Sequence, residues 1–386
     1  MSSIHTFSFP TPIHFGPGAR RLIASYLREQ RVARPLVVTD RGLAALPVFA
    51  DFLRELATFD TGVFSGIEGN PTRSQAMDGA AAFARHRADA VIGVGGGAAL
   101  DVAKAVALMA VHDGDILEYA WDHPQVRPII AALPCLVAVP TTSGTGSEVG
   151  RSAVISDDVT HVKRIVFSPA LLAKAVFADP ELTLDLPPAV TAATGMDALT
   201  HNVESYLSPA YHPICDGIAL EGVRIAARAL PAAVANGRDV AARSDMLMSS
   251  MMGAIAFQKD LGAVHSCAHA LSTVAGLHHG LANGIMIDHV MRFNLPAVTP
   301  QLAEAATAMG IVAPGQSASA MAEAATQQVA DWVAQLQLPA RLRELGVRED
   351  QLPELARMAF ASRTVHNNPR PISDVGEIET LLRDAW

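Results

Sequence analysis

The sequence predicts an α/β fold in two parts. An N-terminal domain on a parallel sheet spans residues 1–184, and an all-α domain spans residues 185–386. Three observations predict it. At 386 residues the chain exceeds what most single hydrophobic cores support. Through about residue 180, short β-branched runs alternate with helical patterns, as in a parallel sheet covered by helices. After "DPELTLDLPP" strand candidates become scarce, and helical patterns rich in Ala, Leu and Met take over.

The elements follow in order. "PLVVTD" (Pro35–Asp40) reads as a buried strand. "ADAVIGVGGG" (Ala88–Gly97) reads as another, running directly into the helix "AALDVAKAVALMA". "CLVAVPTT" (Cys135–Thr142) and "AVFADP" (Ala175–Pro180) complete the strand candidates. The helical half opens with "AVTAATGMDALTHNVESYL", "DGIALEGVRIAARALPAAVA" and "ARSDMLMSSMMGAIAF". "APGQSASAMAEAATQQ" reads as a surface loop entering a helix.

Composition narrows the function classes. Half the residues are hydrophobic and 17% are charged, which fits a packed globular chain rather than a disordered one. The formal charge is -9 with no long basic run, which argues against a nucleic-acid partner. Cys135, Cys215 and Cys267 form no CxxC pair, so a reducing compartment is expected. "MSSIHTFSFPTPIHFGPGARR" lacks the charged start and apolar run of a signal peptide. "PIIAALPCLVAVP" is too short to span a bilayer. A cytoplasmic protein without membrane association is the expectation.

Two strand ends carry candidate ligand chemistry. In "GVGGGAALDVAK", Gly95, Gly96 and Gly97 allow close backbone approach, and the N–H groups of the following helix face an anion such as a dinucleotide pyrophosphate. The motif is not GxGxxG, and a purely structural tight turn is the competing reading. "PTTSGTGSEV" offers the hydroxyls of Thr141, Thr142, Ser143, Thr145 and Ser147 to phosphate, ribose or amide, against the alternative of a polar surface loop. Asp40 ends its strand, where a carboxylate accepts from ribose hydroxyls and repels a 2′-phosphate, favouring NAD over NADP.

"HSCAHALSTVAGLHHG" (His265–Gly280) holds four of the fourteen histidines in sixteen residues. His265 and His269 are four apart and share a helix face, with Cys267 pointing away; Asp197 and His201 share a face by the same count. One carboxylate with several imidazoles from separate helices is an oxygen–nitrogen site for Fe(II), Zn or another divalent ion. Each histidine alone reads as an ordinary hydrogen-bonded residue, and spacing leaves open which cluster members bind.

The chain resembles the iron-containing (group III) alcohol dehydrogenase family over nearly its whole length. "GGGAALDVAK", "VPTTSGTGSEV", "DPELT", "TGMDALTHNVESY", "AVHSCAHALS", "HHGLANGIM" and "NNPR" occur in the family's order and spacing. The resemblance implies a dehydroquinate synthase-like arrangement: a dinucleotide-binding α/β domain and a helical metal-binding domain, with NAD and metal in the cleft between them. It implies the ligands Asp197, His201, His265 and His279, with His269 beside the metal and His278 a bystander. It carries cofactor contacts to Asp40, Asn70, Gly96, Gly97, Asp101, Thr141, Thr142, Thr145 and Leu182, and sets Lys163 near the nicotinamide. Ala98 stands where the family has serine, so a hydroxyl contact is lost while backbone contacts remain. "ASRTVHNNPR" departs from relatives that carry an acidic residue near Ser362 or Arg363.

The expected reaction is hydride transfer between a small alcohol or aldehyde and C4 of nicotinamide, with the metal as Lewis acid. His269 is the expected proton relay, against the alternative of a histidine that only orients ligands. Arg151 and Lys259 flank the motifs and are candidates to bind a substrate carboxylate, as in relatives acting on 4-hydroxybutyrate. Pairing of Arg151 with Asp157 or Asp158, and of Lys259 with Asp260, is the competing reading, with a simple alkanol or diol as substrate. Glycerol dehydrogenase-like and dehydroquinate synthase-like enzymes are alternatives on the same fold, and a non-catalytic NAD-binding protein is a third class. The intact Asp197, His201, His265, His279 set argues against a metal-free maleylacetate reductase. Family members associate, so a homodimer or higher homo-oligomer is expected.

Overall fold

The computed structural model describes residues 7, 9, 11–312 and 314–386. The start of the segment read for a signal peptide, and Ala313 at the head of the "APGQSASA" loop, lie outside the described residues. The chain divides into two compact units: one runs to Thr142 and resumes over Gly146–Leu184, and the other comprises Ser143–Thr145 and Asp185–Trp386.

The first unit is a six-stranded sheet, every pairing in it parallel. Its strands are β1 (Ile13–Phe15), β2 (Pro35–Asp40), β3 (Gly62–Ile67), β4 (Ala90–Gly95), β5 (Cys135–Pro140) and β8 (Ala175–Ala178), in the order β1-β8-β5-β4-β2-β3. β4 is buried along its whole length and β2 along all but its last residue, which is why both read as continuous apolar runs. A separate antiparallel ribbon, β6 (Ser152–Ser156) with β7 (Lys163–Phe167), was not expected from the sequence.

The helices of this unit are α1 (Ile23–Glu29), α2 (Arg41–Ala44), α3 (Pro47–Glu55), α4 (Arg73–His86) and α5 (Gly97–Met109). One sheet face packs Phe49, Phe52, Ile92, Val137 and Phe177; Phe52 is fully buried, worth about 1.5–3 kcal/mol. The other core gathers Leu108, Ile116, Ile155 and Val166.

The second unit is helical: α6 (Pro188–Leu207), α7 (Pro213–Ala235), α8 (Val240–Ala256), α9 (Ala263–Val274), α10 (His279–Ala308), α11 (Ala318–Gln335), α12 (Leu352–Ala361) and α13 (Val375–Asp384). α10 kinks at Val298, between Pro296 and Pro300, where the missing N–H groups interrupt the hydrogen-bond ladder. Small residues let α6 lie close to its neighbours, and it is buried almost throughout from Thr191. Among the described residues, no helix is long and apolar enough to cross a membrane. All three cysteines are free thiols.

Candidate active site and metal centre

In the first unit the strand order creates a switch point. β3 lies on one side of β2, while β4 and β5 lie on the other, so the crevice outside the carboxyl ends of β2 and β4 is where open α/β sheets take ligands. Asp40 ends β2; its Oδ1 caps α2 through Leu43 N at 2.8 Å. Gly95 ends β4 with φ +145, and a Cβ there would stand 2.7 Å from Ala99 Cβ and 3.3 Å from Asp40 Oδ2. Only glycine fits this approach. α5 then starts at Gly97 with Gly96 as N-cap and no side-chain cap, leaving its first N–H groups for an anion. Ala98 sits in that first turn. Thr141 N donates to Gly95 O at 3.0 Å, tying the hydroxyl-rich loop after β5 to the glycine turn.

The other expected cofactor residues have varied surroundings. Asp101 is inside the fold: Oδ1 accepts from Ser147 Oγ at 2.6 Å and lies 3.5 Å from Lys104 Nζ, while Oδ2 accepts from Val154 N at 3.0 Å. Both oxygens are thus engaged, one with Ser147 in the loop after β5 and one with Val154 of β6, and Ser147, read as a ligand hydroxyl, is taken up with them. The Leu182 side chain is packed in the sheet core. Asn70 is exposed in the loop before α4, and Lys163 begins β7 opposite Ser156. Thr145 belongs with the second unit, where Ser250 Oγ donates to Gly144 O at 3.0 Å.

In the second unit four expected side chains converge. α6 supplies Asp197 and His201, α9 supplies His265, and α10 begins at His279. From Asp197 Oδ1, the Nε2 atoms of His201, His265 and His279 lie at 3.9, 3.8 and 3.7 Å. Ligand atoms each about 2.1 Å from a tetrahedral ion stand about 3.4 Å apart, so the set is metal-sized and slightly open. Asp197, His265 and His279 place ligand atoms within 4.8 Å of one another; His201 reaches Asp197 but falls outside that tighter group. His269 is stacked on His279 at 5.3 Å and is half-buried, while His278 is exposed. Cys267 is in the core, and burial pushes its thiol up to about 12, so it stays protonated and apart from the ligand set.

Two residues of this centre were not singled out in the sequence. Glu204 Oε2 lies 2.6 Å from His265 Nδ1; burial pushes its carboxyl up to about 7, against the backbone N–H groups of Val264, Gly262 and His265 and the charge of His201. Asn283 donates from Nδ2 to Asp197 Oδ1 at 2.7 Å, and the same nitrogen lies 3.3 Å from Nε2 of both His265 and His279. Its two N–H groups thus face one carboxylate oxygen and two ring nitrogens, which accept when each imidazole keeps its proton on Nδ1. Donor-poor, acceptor-rich convergence of this kind fits a cation, and Asn283 Oδ1 and His201 Nδ1, both buried, have no hydrogen-bond partner among the described residues. The signal was the one already used for Asp197 and His201: Glu204 is seven residues after Asp197, and Asn283 four after His279, on helical faces.

Lys259, one of the two candidates for binding a substrate carboxylate, has a partner within the fold. Its amine is buried, ion-paired with Asp216 rather than Asp260, and 3.3 Å from Tyr206 O. Arg151 lies over the Phe167 ring, 5.4 Å from its centroid, while Asp157 accepts from Thr160 and Val159 and Asp158 from Ser74. Lys259→Met is therefore expected to leave the KM ratio of succinic semialdehyde to butanal unchanged. Because Asp216 reaches water, it should cost less stability than the about 3–5 kcal/mol of a fully buried broken pair. Paired kinetics and a denaturant melt check both.

Comparison with known proteins is consistent with this geometry. The family described as "Iron-containing alcohol dehydrogenase" matches residues 10–180, and "Fe-containing alcohol dehydrogenase family, C-terminal" matches residues 191–386. A 1,3-propanediol dehydrogenase of Klebsiella pneumoniae is 37% identical over 98% of this chain and 97% of that protein. A 4-hydroxybutyrate dehydrogenase of Cupriavidus necator is 38% identical over 94% and 95%. A crystal structure of 1,3-propanediol oxidoreductase superposes with TM-score 0.94 at 36% identity, covering 99% of this chain and all of that one.

Proposed function

The chain belongs to the iron-containing alcohol dehydrogenase family, and we propose that it is a metal-dependent, NAD(H)-linked dehydrogenase of small uncharged primary alcohols or diols, working in reverse as an aldehyde reductase. The observation that carries the reading is the convergence of Asp197 Oδ1 with the Nε2 atoms of His201, His265 and His279. These four residues would hold a divalent ion, Fe(II) by family and Zn(II) by donor type. When bound, the ion supplies Lewis-acid polarisation of the substrate oxygen, and NAD supplies the carbon that accepts hydride.

The residues of the chain do the rest. The uncapped first turn of α5 binds pyrophosphate through Gly96, Gly97 and Ala98 N–H groups. Asp40 accepts from ribose hydroxyls and disfavours a 2′-phosphate. Thr141, Thr142 and Thr145 contribute hydroxyls. His269, half-buried beside His279, moves the proton between the substrate oxygen and solvent. Asn283 steadies the Asp197 carboxylate.

Fe(II)-loaded protein, kept anaerobic, is assayed for NADH and NADPH oxidation with 3-hydroxypropanal, butanal and succinic semialdehyde, before and after chelation. The expected result is chelator-sensitive activity, NADH preferred, with the two neutral aldehydes ahead. The kinship to the Cupriavidus necator enzyme favours a second reading, an ω-hydroxy acid substrate recognised by Arg151; a large kcat/KM preference for succinic semialdehyde would establish it over the first. A homodimer in the cytoplasm completes the proposal, with light scattering to measure the mass.

A further inference from the structure

Helix α9 begins without a cap of its own, because its N-cap residue, Gly262, has no side chain to offer the first turn. The orphan donors are taken by side chains from elsewhere in the same unit. Ala263 N donates to Asn368 Oδ1 at 3.3 Å, Val264 N to Glu204 Oε1 at 2.7 Å, and His265 N to Glu204 Oε2 at 3.4 Å. Glu204 Oε2 also meets His265 Nδ1 at 2.6 Å. Both oxygens of one buried carboxylate are therefore bonded to the short stretch that carries His265. Asn368, from the "NNPR" motif, is itself held by Asn294 in a reciprocal amide pair at 2.7 and 3.1 Å.

We propose that Glu204 is a positioning residue for the metal centre: it fixes His265 as the Nδ1–H tautomer and anchors the first turn of α9, holding the Nε2 lone pair toward Asp197. The proposal rests on the metal-centre reading of Asp197, His201, His265 and His279. A neutral imidazole carries one N–H and one lone pair, and an acceptor on Nδ1 decides which nitrogen keeps the proton. In the other tautomer Nε2 would present a proton to the cation. α6 thus contributes two ligands and, three residues after His201, the carboxylate that orients a third on α9.

Glu204→Gln tests it with little change of shape. Glu204 uses one oxygen for Val264 N and the other for His265 Nδ1–H, whereas glutamine has a single acceptor and turns an NH2 group on one of the two. The expected result is a Zn(II) affinity about 10–100-fold weaker by chelator competition. In ¹⁵N-histidine NMR, the strongly hydrogen-bonded Nδ1–H of His265 should be present in wild type and lost in the variant. Asn368→Ala, which removes the Ala263 cap and the Asn294 pair but no contact of Glu204, should keep that resonance. Unchanged affinity and an unchanged Nδ1–H in E204Q overturn the proposal, and so does a lowered melting temperature with affinity intact, since that is a structural role alone. If E204Q does not fold, Glu204→Asp keeps both acceptors on a shorter arm and is expected to weaken Zn(II) binding by a smaller factor; wild-type affinity overturns the proposal. Wild type that binds no Zn(II) would defeat the metal-centre reading instead. The Nδ1–H resonance of the metal-free protein then decides the tautomer by itself.

Discussion

Asp197→Asn is expected to abolish metal-dependent turnover while leaving the metal-free protein as stable as the wild type, or more so. Asp197 is buried to 2% exposure. Without a cation its Oδ1 accepts from Asn283 at 2.7 Å and faces three imidazole nitrogens at 3.7–3.9 Å. A buried carboxylate held so sparsely is a cost to the fold, and a near-isosteric amide removes the charge. With a cation the sign reverses: Asp197 is the one anion in the set, and the variant offers only neutral donors. Loss of Lewis-acid assistance worth about 4 kcal/mol or more lowers kcat/KM by about 10³ or more. Metal at about 1,000 times its Kd stabilises the wild-type unit by about 4 kcal/mol, a rise of about 8–16 °C for a unit this size. Calorimetry with and without Zn(II) separates the two effects. A variant that keeps the metal-dependent rise would show that the carboxylate is not a ligand.

The legible and the illegible parts of this chain divide on physical grounds. β2, β4, β5 and β8 were readable because strands buried on both faces leave continuous apolar runs. β3, "GVFSGI", was not readable: it is an edge strand of mixed burial with two glycines and a serine, a composition that also suits a loop. β1 is three residues long, and the β6–β7 ribbon lies outside the main sheet, so neither carries a repeating pattern long enough to see. At the site, helical spacing pairs Asp197 with His201, because both are residue types that bind metals. Glu204 and Asn283 sit on the same faces but are not legible in the sequence, because an acid and an amide among apolar residues look like surface groups until burial is known. The competing reading that paired Lys259 with Asp260 missed its partner for a related reason. Its partner, Asp216, is 43 residues away on α7, and adjacency in sequence pointed to Asp260.

Gly280→Ala should displace the metal centre, whereas Gly284→Ala, one helical turn later, should leave it intact. Both glycines lie on α10 toward α6, yet the room at each differs. A Cβ at Gly280 would stand 2.4 Å from Ala193 O, 3.0 Å from Ala193 C and 3.2 Å from Asp197 Cβ. The obstacle is helix backbone, which no rotamer change relieves, so α10 must move away from α6 at the turn that begins with His279. That motion opens the 3.7 Å separation of His279 Nε2 from Asp197 Oδ1. Overpacking of this kind costs about 1–3 kcal/mol, more than the about 0.5–1 kcal/mol that alanine gains over glycine in a helix. At Gly284 the same methyl would meet Met196 Cβ at 3.4 Å and Leu338 Cδ1 at 3.5 Å, ordinary van der Waals contacts. There the helix-propensity gain stands unopposed, and a rise of about 0.5–1 kcal/mol is expected with wild-type Zn(II) affinity. Gly280→Ala should melt lower and bind Zn(II) more weakly by a factor of about 10 or more, since a ligand displaced by even a few tenths of an ångström loses its place in a preorganised set. Equal Zn(II) affinity in the two variants would mean that the close α6–α10 approach does not set the geometry of the site.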